Sequence, residues 1–185
     1  MQSRRPTLLQ RLIRIIDRIA TVRVLVLLIL LTALFPAVLF PAAGIGNDKP
    51  LDLYFSYSPD QVYGYLGGLG AGGRNAYARM ELTTDLLFPV VYCLALTVAL
   101  AIGVRKILPF NNRLGYLYFL PLPVLISDWC ENMGLSAVLH AYPDRLDAII
   151  YAASMFTSLK WFFLVLVVFT LGTVGVFTIM RQMRN

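Results

Sequence analysis

Asp128, Glu131 and Asn132 are the residues whose types and spacing could do chemistry in this sequence. They fall at i, i+3 and i+4, so a helix carries all three on one face. They lie in Ser127-Asp128-Trp129-Cys130-Glu131-Asn132, inside an apolar run from about Leu114 to Leu139. Two carboxylates in different surroundings can divide acid and base roles, or pass a proton, or hold a cation. In a bilayer-spanning helix each costs roughly 2.5–3.5 kcal/mol on insertion scales, so their face looks into protein or water and not into lipid.

Other polar residues belong with them by depth. Asp85 opens a second apolar run, and Lys160 lies inside the last one. At about 1.5 Å per residue, Glu131 lies roughly 14 Å and Asp128 roughly 18 Å below His140, at the end of their helix. Counting twenty residues back from Arg181 puts Lys160 near the membrane boundary, just above those carboxylates. The expected polar centre is Asp85, Asp128, Glu131, Asn132 and Lys160, with Arg74 or Arg79 as the rival cation. His140, Tyr92, Tyr151 and a glycine-rich stretch form its rim.

Metal and cofactor chemistry find little support. Cys93 and Cys130 form no Cys-x-x-Cys pair, which argues against a redox motif or a zinc site, and both read as buried thiols. His140 is the single histidine; as a haem or pigment ligand it would stand alone, and a solvated interfacial histidine is the simpler reading. Gly67-Gly68, Gly70 and Gly72-Gly73 follow no strand and precede no Gly-Lys-Ser/Thr, so they read as a hinge or close-packing turn rather than a phosphate cradle. No cofactor and no metal are expected. Trp129 and Trp161 read as packing or interface residues.

The elements that must position these groups follow from composition. The chain has 185 residues, 58% hydrophobic and 14% charged, where soluble domains carry about 25% charged residues. An integral membrane protein of one domain, residues 1–185, is the consequence. The fold class expected is all-α: a four-transmembrane-helix bundle with an N-terminal amphipathic interfacial helix and an outer helical loop between spans 1 and 2. The interfacial helix covers 7–23, with Thr7 and Gln10 as a capping box, Arg11, Arg14 and Arg18 on one side, and Leu8, Leu12, Ile15, Ile16 and Ile19 on the other. The spans are expected at about 24–41, 85–104, 114–139 and 158–180, and the loop at 42–84. The first span reads as an uncleaved anchor, because its charged lead-in is long and no good Ala-x-Ala site follows. Within the loop, Ser58-Pro59-Asp60-Gln61 opens a helix that breaks at the glycines, and another begins near Asn75.

The formal net charge of +6 is unevenly placed. Arg4, Arg5, Arg11, Arg14, Arg18 and Arg23 precede the first span, Arg105, Lys106 and Arg113 follow the second, and Arg181 and Arg184 follow the last. Only Lys49, Arg74, Arg79 and Arg145 fall on the opposite side. The positive-inside rule then puts both termini in the cytoplasm, and basic residues beside spans read as topology and not as nucleic-acid binding.

Three patterns together, Gly73-Arg74-Asn75-Ala76-Tyr77, Asp85-Leu86-Leu87-Phe88-Pro89-Val90-Val91-Tyr92 and Asp128-Trp129-Cys130-Glu131-Asn132, resemble a group of small four-span bacterial membrane proteins of unassigned function. The resemblance covers about Ser58 to Lys160 and implies a fold, a shared polar set and a multi-pass place in the bacterial cytoplasmic (inner) membrane. It implies no activity.

Three functions fit. The first is a non-enzymatic accessory or structural subunit of a larger membrane complex, or a homo-oligomer, in which the carboxylates and Lys160 set helix register. The second is a binder, or an acid/base isomerase-like enzyme, for an amphipathic lipid or isoprenoid ligand. The third is proton or ion conduction. Sequence alone ranks them in that order.

Overall fold

The computed structural model describes residues 7–44, 50–107 and 112–183. Arg4, Arg5, Asp48, Lys49 and Arg184, and the side chain of Arg113, lie outside what it describes. The described chain is all helical. The elements are α1 (Leu8–Ile19), α2 (Val22–Leu34), a π-helical stretch (Phe35–Leu39) leading into the single turn α3 (Phe40–Ala42), a 3-10 turn (Leu51–Leu53), α4 (Pro59–Gly68), α5 (Gly70–Leu82), α6 (Thr84–Ile107), a 3-10 segment (Asn112–Phe119), α7 (Leu122–Ala141) and α8 (Asp147–Met183).

Three stretches are long and apolar enough to cross a membrane: Val22–Ala42, Gly70–Ile107 and Asp147–Met183. α7 is not among them, because Asp128, Glu131 and Asn132 depress its hydropathy. Large apolar side chains nevertheless stay exposed along α2 and α8, among them Leu27, Leu30, Phe162, Val165 and Phe169. A soluble protein would leave few such continuous faces bare, and lipid covers them without cost.

Local sequence explains how each element starts and stops. Thr7 and Gln10 cap α1 reciprocally, and Ser58 and Gln61 do the same for α4, with Pro59 in its first turn. α4 ends where Gly70 takes φ +63°, a left-handed value that glycine adopts without a Cβ clash. α5 therefore begins at Gly70, ahead of the expected start near Asn75. Pro36 sits in the π-helical stretch, where its missing N–H suits a local change of register.

α7 starts later than the apolar run suggests. Residues 114–119 form 3-10 helix, and the α-helix begins only after Pro121, with Pro123 in its first turn. Proline fits the first turn and obstructs an earlier one, so the run from Leu114 is divided in two.

α1 has three faces. Leu8, Leu12, Ile15 and Ile19 remain exposed, while Ile13 is buried, its side chain against Gly115 of the 3-10 segment. On a third side, the guanidinium of Arg105 donates to the carbonyls of Asp17 and Ala20, and Tyr118 donates to Asp17 Oδ1 at 2.9 Å. The helix is thus fastened along one flank and left apolar along another.

α7 packs most extensively on α8 and also on α5 and α6; α2 packs on α6. Gly134 makes the α7–α8 approach close: a Cβ there would lie 3.0 Å from the Ala153 Cβ. There are two apolar cores. One, with Val98, Leu100, Ala101, Val104, Val124 and Val167, lies toward the α1 end. The other, with Val62, Leu66, Tyr77, Leu135, Val138 and Ile150, lies under α4 and α5.

Candidate functional site

A buried polar cluster occupies the middle of this helix set. Glu81, Asp85, Asp128, Glu131, Asn132 and Lys160 are all at most 5% exposed, and Glu81 and Glu131 are 0% exposed. Lys160, on α8, reaches α7. Its Nζ lies 2.6 Å from Glu131 Oε2 and 3.7 Å from Asp128 Oδ1. Asp128 Oδ2 accepts from the Tyr92 hydroxyl at 2.5 Å. Glu131 Oε1 accepts from the Tyr57 hydroxyl at 3.5 Å, and Thr157 Oγ1 donates to that hydroxyl at 3.1 Å. Burial and the neighbouring Glu131 charge push the Tyr57 phenol above its ordinary value, so it remains a donor.

The backbone contributes through a proline. Pro89 lies inside α6 and has no N–H, so the carbonyl of Asp85, four residues earlier, has no helical donor. Asn132 Nδ2 supplies one at 2.9 Å. Beside it, Trp129 Nε1 donates to the Leu86 carbonyl at 2.9 Å. The spacing of 129 and 132 on α7 thus addresses the first turn of α6.

The segment before α4 straps the cluster to α8. Tyr57 N donates to Ser154 Oγ at 2.9 Å, Ser158 Oγ to the Phe55 carbonyl at 2.9 Å, and Trp161 Nε1 to the Tyr54 carbonyl at 3.0 Å. Above this strap, Arg145 pairs with Asp60 at 2.7 Å and Asp147 at 3.0 Å, and lies over the Tyr63 ring.

Acceptors outnumber donors. Among the described residues, the Lys160 ammonium is the one cation beside four buried carboxylates, and it pairs with two of them, Asp128 and Glu131. Both oxygens of Glu81, Oδ2 of Asp85 and Oδ1 of Asn132 are buried without a hydrogen-bond partner among the described residues. The cluster is still not a chelating set: among the described residues no three His, Cys, Asp or Glu side chains converge as metal ligands.

A cavity of about 660 Å³ opens against the cluster, between α2, α6 and α8. Its walls are almost wholly apolar, with Leu25, Ile29 and Ala33 from α2, Phe88, Ala95, Leu96 and Ala99 from α6, and Trp161 and Leu164 from α8. One end carries Asp52, Asp85, Tyr92, Asp128 and Lys160. From Asp85 to Ala99 along α6 it runs roughly 21 Å at 1.5 Å per residue.

The chain matches no known protein family, curated protein or solved structure.

The structure thus brings Asp85, Asp128, Glu131, Asn132 and Lys160 together and leaves Arg74 out. Arg74 lies over the Tyr142 ring and donates to the Leu66 carbonyl at 3.0 Å. Cys93 donates to the Pro121 carbonyl at 3.4 Å, and both thiols are free. His140 Nδ1 lies 2.7 Å from the Ser136 carbonyl, within its own helix. Sequence reasoning missed Glu81, Tyr57 and Thr157. Glu81 stands four residues before Asp85, a spacing that signals a shared face, but the polar loop around it hid that signal. Nothing local distinguishes Tyr57 from the other loop tyrosines.

Proposed function

We propose that this protein binds an amphipathic molecule inside the bilayer, its chain in the apolar cleft and its head at the carboxylate–lysine end. The observation carrying this reading is the 660 Å³ cavity with apolar walls and one charged end. Ligand sites are typically of this size and make-up, mostly apolar with a few convergent polar groups. A cavity of about 21 Å exceeds one leaflet of a hydrocarbon core about 30 Å thick, so a membrane-lipid chain fits lengthwise. In this reading α7, twenty residues and about 30 Å long, is the fourth crossing. The protein then sits in a bacterial inner membrane with both termini in the cytoplasm, as the basic residues favour.

The accessory-subunit reading has weaker support, because the bare faces of α2 and α8 are what lipid alone covers. Conduction has less: toward α1 the interior is filled by the apolar side chains of Val98, Leu100, Val104, Val124 and Val167.

Trp161 lines the cleft and reports on its contents. In nanodiscs, a chain-brominated single-chain alcohol should quench tryptophan fluorescence saturably through Trp161, with Trp161→Phe, which leaves Trp129, as the control, and Ala99→Phe, which fills the apolar end, should remove the saturable part. Quenching that rises without saturation, and equally in both proteins, would mean simple partitioning into lipid and would end this reading.

A further inference from the structure

The cleft's charged end is chemically one-sided. Among the described residues Lys160 is the cation there, and it is already engaged by Glu131 at 2.6 Å, behind the cleft wall. Asp128 holds the Tyr92 hydroxyl at 2.5 Å. Asp85 differs: it lines the cleft, is 2% exposed, and its Oδ2 has no hydrogen-bond partner among the described residues. Asp52 lines the same end and adds a further carboxylate.

From this, and resting on the binding role proposed above, we propose that the cleft selects an amphiphile with a cationic, hydrogen-bond-donating head, a single-chain alkylamine in the simplest case, whose ammonium sits on Asp85. The donor satisfies a buried acceptor that has none among the described residues, where the positive charge also offsets a cluster with four carboxylates and one lysine. An ammonium on Asp85 forms a charge-assisted hydrogen bond, stronger than a neutral one. A phosphate or carboxylate head meets the opposite situation. It would face Asp52, Asp85 and Asp128 in a low-dielectric site, where like charges repel strongly. Lys160 could serve such a head only by leaving Glu131, which would strand a buried carboxylate. A neutral alcohol can donate to Asp85 but brings no charge, so it ranks between the two.

Three chain-brominated probes of equal length, hexadecylamine, hexadecanol and hexadecanoate, separate these cases by the saturable quenching that Trp161→Phe abolishes, read on the whole chain in uncharged nanodiscs. The expected order of affinity is amine, alcohol, carboxylate, with about tenfold or more between the first and the last, as for sites whose buried polar groups go unpaired with the wrong ligand. Asp85→Asn, which keeps shape and removes the charge, should collapse the amine's advantage over the alcohol and leave alcohol binding in place. The wild-type ranking stands as evidence even if that variant fails to fold. Saturable binding of all three with equal affinity would overturn the head-group assignment while leaving the apolar cleft as a binding site. Preference for the carboxylate would overturn it as well. Failure of all three to bind saturably would remove the binding role itself.

Discussion

The Lys160 ammonium stands between two carboxylates of one helix, nearer Glu131 than Asp128. Removing one partner of a buried pair leaves the other charge stranded, at about 3–5 kcal/mol. Glu131→Ala should therefore lower thermal stability in detergent by an amount in that range, and Glu131→Gln clearly less, because the amide oxygen still accepts from Lys160. Equal losses would mean that Glu131 is solvated. A second test concerns the bond from Asn132 to the Asp85 carbonyl. Asn132→Ala leaves a buried acceptor unpaired, a loss of about 1–3 kcal/mol. In a Pro89→Ala background residue 89 regains an N–H for that carbonyl, so the same substitution should cost much less. A double-mutant cycle with no coupling between 89 and 132 would refute this account of the Asp85 carbonyl. At this scale the acids, Asn132 and Lys160 were legible, since carboxylates at i and i+3 in an apolar run have few explanations. Glu81 was not, because its burial depends on α5 folding back over α7.

Between elements, the close contacts are made by small residues. Gly134 lets α7 approach Ala153 of α8, and any larger residue must push the helices apart. Gly134→Val should cost about 1–3 kcal/mol by overpacking, read as a lower melting temperature. It should also perturb the Lys160–Glu131 pair one turn away, so its loss and that of Glu131→Ala should be less than additive; full additivity would separate the two features. At the opposite end, Arg105 ties α1 to α6 through the Asp17 and Ala20 carbonyls. Arg105→Met should speed hydrogen exchange of the α1 amides while α7 exchange stays unchanged, and unaltered α1 exchange would show that lipid alone holds that helix. The caps of α1 and α4 were readable in the sequence, because capping is set by residues within one turn. The division of the run from Leu114 into a 3-10 segment and α7 was not readable, because hydropathy alone does not tell a 3-10 segment from the helix that follows Pro121.

For the whole molecule, the proposed four crossings place residues 116 and 144, near the two ends of α7, on opposite sides of the membrane. With Cys93 and Cys130 replaced by Ala, Tyr116→Cys should be labelled by a membrane-impermeant maleimide only in inverted vesicles, and Asp144→Cys only in intact cells. Labelling of both from the same side would reduce the crossings to three and make α7 a re-entrant or buried helix.

Composition and periodicity alone determined that this chain belongs in a bilayer and which of its residues are too polar to face lipid. Transfer free energies are nearly local and sum along a helix, so a single sequence carries them. Tertiary structure decided the partners: Lys160 and not Arg74 meets Glu131, Tyr57 and Tyr92 complete the acids' hydrogen bonds, and an apolar cleft opens against Asp85. Those outcomes depend on how α2, α6, α7 and α8 rotate and separate once Gly134 and Pro89 have set their approach. That geometry joins residues tens of positions apart, and no local pattern along the chain encodes it.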